Sequence, residues 1–284
     1  MKLRVVTWNM DHWKHRSDLD HTRRAWEHLA KLNPNVALVQ EAVPPPGTLA
    51  STWTVVPAVH DAARWTTSAT QRWGTAVVGV DPSLGISEIK VTRVGEPRDR
   101  GGLTISHPGA YCAAELTLSN GRRLHLVSMY GLLEGPLRNG TTYAVTTVHR
   151  TLSDLTPLLD VTRARKVPVI LGGDFNVSTQ VPQPDREAHR LVLKRLDAFG
   201  LGDCLRECRA PPPRISRGCP CDEGTECRHV QTHRHSRSKM PWQNDYVFAS
   251  RTLLPSVAGT VTNAADNPAW ELSDHCPVVV DLDV

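Results

Sequence analysis

Apolar residues in this chain fall into short runs that end repeatedly on polar residues or turn formers. Leu3 to Trp8, Val36 to Val39, Thr75 to Val80, Tyr111 to Leu118, Leu124 to Tyr130 and Val167 to Leu171 are short and β-prone, and predict strands. Two more are expected at Tyr246 to Ala249 and Pro277 to Leu282. Asn120-Gly121 lies between two of these runs, and both residues tolerate a positive φ, which marks a hairpin. Helical spacing appears in Leu19 to Leu32, where Trp26, Leu29 and Ala30 recur on one face, and again in Val145 to Val161 and Arg186 to Phe199. Pro44-Pro45-Pro46 stops the second strand region, since proline has no amide N–H to donate. Many strands, few long helices and no sustained βα alternation predict one domain over 1–284, a sandwich with helices outside.

The polar residues that interrupt the apolar runs carry the chemistry. Four runs end in them: Val5-Val6-Thr7-Trp8-Asn9, Val39-Gln40-Glu41, Val127-Ser128-Met129-Tyr130, and Ile170-Leu171-Gly172-Gly173-Asp174-Phe175-Asn176. Two begin with them: Asn244-Asp245-Tyr246 and Ser273-Asp274-His275-Cys276-Pro277. Between antiparallel neighbours the end of one strand lies beside the start of the next, so all six can meet on one edge. Such an edge crowds Asp11, Glu41, Asp174, Asp245 and Asp274 together, and like charges in a partly dry site need a cation or a proton. Hard oxygen donors suit Mg²⁺ or Mn²⁺ better than zinc. An Asp beside a His supplies an oriented acid or base. Metal, base and phosphoryl donors together suit hydrolysis of a phosphate ester. Singly, each residue also has a bland reading: Asn9 and Gln40 as strand-end caps, Asp174 to Asn176 as a turn, Tyr130 as a core aromatic. The joint pattern favours a site.

These motifs resemble the endonuclease/exonuclease/phosphatase superfamily, whose order they follow from Asn9 to His275. The resemblance implies a DNase I-like four-layered α/β sandwich of two packed mixed or antiparallel sheets flanked by helices. It implies Glu41 as principal Mg²⁺ ligand, with Asn9, Asp11 and Asp274 at the metal site. Asp174 would orient or deprotonate the attacking water, Asn176 would hold a phosphoryl oxygen, and Asp245 would fix His275 against the scissile phosphate. Which of Asp174 and His275 is the base stays open. Tyr130 falls where the apurinic/apyrimidinic endonuclease branch places an active-site tyrosine. Val177 to Asp185 lacks the aromatic-rich segment with which that branch admits an abasic sugar, so abasic-site specificity does not carry over.

Charge sharpens the picture at one place. The net charge is +4, and Cys204 to Lys239 alone holds eight Lys or Arg against four Asp or Glu. A basic segment on a near-neutral body suits a polyanion. This segment, 204–239, is expected to be a long insertion loop rich in Cys, His and Arg. Cys219, Cys221, Cys227 and His229 offer four ligands to a structural Zn²⁺, with disulfides or free thiols as the rival readings. Arg228, Arg234 and Arg237, with His233 and His235, are candidates to face substrate phosphates. Arg98 and Arg100 before Gly101-Gly102 form a second basic loop. Cys112 and Cys276 read as small core residues.

No targeting segment and no apolar run long enough to span a membrane are visible, so a cytoplasmic protein is expected. No obligate protein partner is implied. The expected activity is a Mg²⁺-dependent nuclease cleaving phosphodiesters of DNA or RNA. The alternatives are a phosphatase or phosphodiesterase for a small molecule or lipid head group, and an inactive nucleic-acid-binding module.

Overall fold

The computed structural model describes residues 1–15, 17–57, 73–95, 103–133, 144–160, 167–208, 219–236, 239–261 and 267–284. Arg98, Arg100 and Arg237, and Val161 at the end of the second expected helical stretch, lie outside the described residues.

Two six-stranded sheets pack face to face. Across its width the first runs Val257–Val261, Val278–Asp283, Lys2–Asn9, Val36–Ala42, Gly74–Gly79 and Thr54–Pro57. The second runs Leu201–Asp203, Asp245–Ser250, Val169–Asp174, Arg123–Tyr130, Tyr111–Thr117 and Gly85–Glu88. Strand alternation decides which side chains meet. Leu3, Val5, Val36 and Leu38 point inward, against Ala114, Leu126, Ile170 and Val247 of the other sheet. Val6, Trp8, Ala37 and Val39 point outward, under Ala25, Trp26 and Leu29 of the helix Leu19–Lys31. On the second sheet Val127, Met129, Leu171 and Phe248 point outward, under the helices Val145–Asp154 and Asp185–Ala198. The expected four layers are therefore present. Strands buried on both faces read as near-continuous apolar runs, which is why the sequence showed runs more clearly than alternation.

Each sheet has a parallel pair at its centre, joined by a helical crossover. Lys2–Asn9 pairs with Val36–Ala42 through the helix Leu19–Lys31, and Arg123–Tyr130 pairs with Val169–Asp174 through Val145–Asp154. The chain thus holds one βαβ unit at the middle of each sheet, without a sustained βα alternation. The parallel pairs bring four C-terminal ends to one edge. Their antiparallel neighbours, Val278–Asp283 and Asp245–Ser250, start at that edge. The second expected helical stretch breaks at Leu155 into Val145–Asp154 and Thr156–Leu159, because Pro157 at the start of a turn has no N–H for the preceding one.

Within 204–239, the first turn is the helix Cys204–Glu207, with Cys204 and Leu205 buried in the inter-sheet core. Further on, His233–Arg234 pairs with Pro241–Trp242, and His233 also bridges to His275. Among the described residues no helix is long and apolar enough to cross a membrane.

Candidate active site

The six polar strand ends meet in one cleft of about 770 Å³, lined by Asp11, Glu41, Tyr130, Asp174, Asn176, Asp274 and His275. Asp245 lies beneath its floor, fully buried. Three of these residues, Asp11, Glu41 and Asn176, hold positive φ angles of 50°, 47° and 48° without being glycine. Such backbone costs free energy and persists where the surroundings over-determine it, typically at functional positions. At Glu41 it coincides with a bulge between Val39 and Ala42 in the pairing with Gly74–Gly79, which turns the carboxylate out of the ladder. The Gly before Asp174 has a steric reason: a Cβ on Gly173 would stand 1.8 Å from the carbonyl oxygen of Met129 on the neighbouring parallel strand.

The network is tight. Asn9 Nδ2 donates to Glu41 Oε1 and to Asp174 Oδ2, both at 3.0 Å, while its Oδ1 accepts from the Asp11 N–H at 3.0 Å. Asn9, expected among the metal ligands, therefore stands here as the donor joining two carboxylates across the sheet interface. Asp174 also accepts from the Asn176 backbone at 2.9 Å and from Asn176 Nδ2 at 3.1 Å. Asp245 Oδ2 lies 2.8 Å from His275 Nδ1, leaving Nε2 facing Asp174 Oδ2 at 3.7 Å and Asp274 Oδ1 at 3.8 Å. Trp8 Nε1 donates to the His275 carbonyl, and Ser273 Oγ donates to the Asn9 carbonyl and accepts from the His275 N–H. Gln40, part of the Gln-Glu motif, does not enter the cleft. Its Nε2 donates to Ser128 Oγ at 2.9 Å and ties one sheet to the other.

Burial and mutual repulsion set the charges. Burial pushes Asp174 up to about 7, against the pull of His275 and of its hydrogen-bond donors. Burial and the Asp274 charge push Asp11 up to about 7, partly offset by Lys14. Burial likewise raises Glu41. His275 moves the other way for its type: despite burial, Asp245 and Asp174 lift it to about 10, so it is an imidazolium. Burial and the Glu41 and Asp174 charges raise the Tyr130 phenol, which stays neutral. Asp11 Oδ1 and Glu41 Oε2 are buried without a hydrogen-bond partner. An orphaned anionic oxygen in the interior is costly unless a cation meets it. The donors at Asp11, Glu41 and Asp274 are all carboxylates, which fits a hard divalent cation.

Several residues of the cleft had no signal in the sequence. Lys14, on the short helix His12–His15, reaches Asp11 Oδ2 at 2.7 Å and Asp274 Oδ2 at 2.5 Å. Trp13, Trp73 and Trp242 line the walls, and Trp73 meets Tyr130 edge-on at 5.2 Å. Of the basic and histidine candidates, His233 and His235 line the cleft, and His233 stacks on His275 at 4.4 Å. Burial and the neighbouring imidazolium push His233 down to about 3, so it is neutral. Arg228 and Arg234 do not line it: Arg228 is exposed beside Cys227, and the Arg234 guanidinium lies 4.1 Å over the Trp270 ring. Cys219, Cys221, Cys227 and His229 come together away from the cleft.

The model of the endonuclease/exonuclease/phosphatase family matches residues 6–275, and the chain belongs to this family of hydrolytic enzymes. An AP endonuclease from Archaeoglobus fulgidus has the same fold at 18% identity, with TM-score 0.64 over 99% of this chain and 100% of that one. A 3'-5' exonuclease from Neisseria meningitidis is similar at 18% identity and TM-score 0.61, covering 99% of this chain and 100% of that one. A D. rerio TDP2 structure is similar at 16% identity and TM-score 0.59, covering 100% of this chain and 99% of that one. No curated protein matches the chain in sequence.

Proposed function

We propose that the protein is a divalent-metal-dependent phosphodiesterase acting on nucleic acid. The observation that carries this reading is the pair of orphaned carboxylate oxygens, Asp11 Oδ1 and Glu41 Oε2, beside an Asp245-oriented His275 in a cleft walled by tryptophans. Glu41, Asp11 and Asp274 would hold Mg²⁺ or Mn²⁺, which when bound polarises a phosphoryl oxygen and neutralises charge. Asp174, held by Asn9 and Asn176 and raised to about 7, takes a proton from the attacking water and so is the base. The water oxygen forms the new bond to phosphorus as the ester P–O bond opposite breaks. His275, an imidazolium aligned by Asp245, donates from Nε2 to a phosphoryl oxygen. The Asn9 amide holds Glu41 in place, and neutral Tyr130 lines the cleft beside it. Trp13, exposed on the rim, and Trp242 are platforms on which bases stack without regard to sequence. The TDP2 structure of the same fold is complexed with a single strand DNA product, which agrees with a nucleic-acid substrate.

Plasmid, linear duplex, single-stranded DNA and RNA incubated with Mg²⁺, Mn²⁺ or EDTA test the proposal. Cleavage is expected only with metal, and Glu41→Ala is expected to lose at least about a hundredfold in rate, since metal stabilisation of the transition state is worth several kcal/mol. Release of phosphate from inositol phosphates with every polynucleotide left intact would overturn the substrate class.

A further inference from the structure

We infer that Cys219, Cys221, Cys227 and His229 form a structural zinc site that clasps the 219–236 segment onto the loop carrying Asn176 and the residues that lead into the strand at Asp245. The four ligand atoms all lie within 4.8 Å of one another. His229 Nδ1 stands 3.6 Å from Cys219 Sγ and 3.4 Å from Cys227 Sγ. A tetrahedral zinc with bonds of about 2.3 Å to sulfur and about 2.0 Å to nitrogen separates its ligand atoms by about 3.5–3.8 Å, so these spacings need little adjustment. None of the seven cysteines is in a disulfide. A disulfide within this group would use two thiols and leave the third, and the imidazole, without a role. The Glu223 carboxylate lies 4.0 Å from Nδ1 and is engaged by Arg206 at 3.3 Å.

The surroundings suit a thiolate-rich site. His229 is buried, and its Nε2 meets Thr179 Oγ1 at 2.8 Å, which orients the ring so that Nδ1 faces the sulfurs. Gln180 Nε2 reaches Cys219 Sγ at 3.5 Å, and Arg186 donates to the Pro220 carbonyl between the first two cysteines, bringing a positive charge close. Thr179 and Gln180 lie three and four residues after Asn176. Gln180 Oε1 accepts from the Gln243 N–H, and Gln243 Oε1 accepts from the Val230 N–H just past His229. Farther along the same arm, Thr232 Oγ1 accepts from the Asn244 and Asp245 amides. A stretch with little apolar content of its own is thereby fixed to both segments, and with it the wall bearing His233 and His235.

Metal analysis of protein purified without added metal tests this. About one zinc per chain is expected, retained in Glu41→Ala, whose substitution lies in the cleft, and lost in Cys227→Ser and Cys219→Ser. Should the cysteine variants fail to fold, cobalt replacement in the wild type still decides, with a thiolate-to-cobalt charge-transfer band expected. Hydrogen exchange at Thr179–Val181 and Gln243–Asp245 is expected to speed up when a chelator removes the zinc. A wild-type protein without stoichiometric zinc and without the cobalt band, or with two of these cysteines disulfide-bonded, overturns the site. Unchanged exchange on zinc loss overturns the clasp.

Discussion

Replacing Asp245 by asparagine removes a negative charge 2.8 Å from His275 Nδ1 while keeping side-chain volume. In the native protein His275 is raised from 6.5 to about 10 despite complete burial. That rise corresponds to about 5 kcal/mol of preference for imidazolium over imidazole. Asp245 is the largest favourable contributor, ahead of Asp174 and Asp274. Losing it is expected to lower the His275 pKa by about 1–3 units, the range for one opposite charge at contact. The direct assay is NMR titration of ¹⁵N-histidine-labelled protein in metal-free buffer, with circular dichroism to verify that the variant is folded. The wild-type ring is expected to stay doubly protonated to beyond pH 9, roughly, and the D245N ring to lose its proton well below that. A wild-type His275 that is neutral at pH 7 refutes the reasoning, as does a D245N ring that titrates with the wild type. In either case Asp245 would be aligning the ring without setting its charge.

Three further outcomes follow from the same geometry. Asp11 and Asp174, each raised to about 7, and His275, raised to about 10, all bind protons more tightly folded than unfolded. Their contribution is therefore lost as pH rises, from about 4 to 7 for the carboxyls and from 6.5 to about 10 for the histidine. Below about pH 6.5 the depressed histidines, His233 and His12 at about 3 among them, act in the opposite sense. In EDTA the Tm should therefore fall from about pH 7 to pH 9, and Mn²⁺ should raise it more at the alkaline end, where the carboxylates are ionised; a Tm that rises or stays flat over that interval contradicts this. Gly173→Ala places a methyl 1.8 Å from the Met129 carbonyl oxygen. It should cost at least the ~1–3 kcal/mol usual for overpacking, read by urea unfolding, and wild-type stability would refute the close approach. Trp13→Ala should weaken binding of single-stranded DNA by about 1–3 kcal/mol in a fluorescence titration with Ca²⁺ in place of the active metal, and unchanged affinity would remove Trp13 from the binding surface.

The centre of the site was legible because polar residues at the ends of buried strands have no packing reason to be there. Asn9, Glu41, Asp174, Asp245 and His275 interrupt apolar runs, and each run lies in the middle of a sheet covered on both faces. Within the two large sheets four strands escaped: Thr54–Pro57, Gly85–Glu88, Leu201–Asp203 and Val257–Val261. All are short edge strands at the outer ends of the sheets, where half-exposed surface imposes no strong pattern. Lys14 was illegible because its role arises only when residues 11 and 274 are brought together across the fold. The parallel central pairs were hidden for the same reason: local sequence reports strand, not neighbour. Arg234 misled because its charge suggested phosphate, whereas the fold lays it over Trp270.

The order of strands in the first sheet bears on how the enzyme comes into being. Lys2–Asn9 lies between Val36–Ala42 and Val278–Asp283, and the Met1 amino group donates to the Val284 carbonyl. The second sheet, by contrast, draws its strands from one continuous stretch, Gly85 to Ser250. On a ribosome that second sheet has all its strands while the first still lacks its partner for the opening strand. Asp274 and His275 lie just ahead of that last strand, so they are made after every strand of the second sheet. The cleft is thus completed late, by a strand made after the whole second sheet, and a nascent chain carries no finished site until that strand has docked beside Lys2–Asn9.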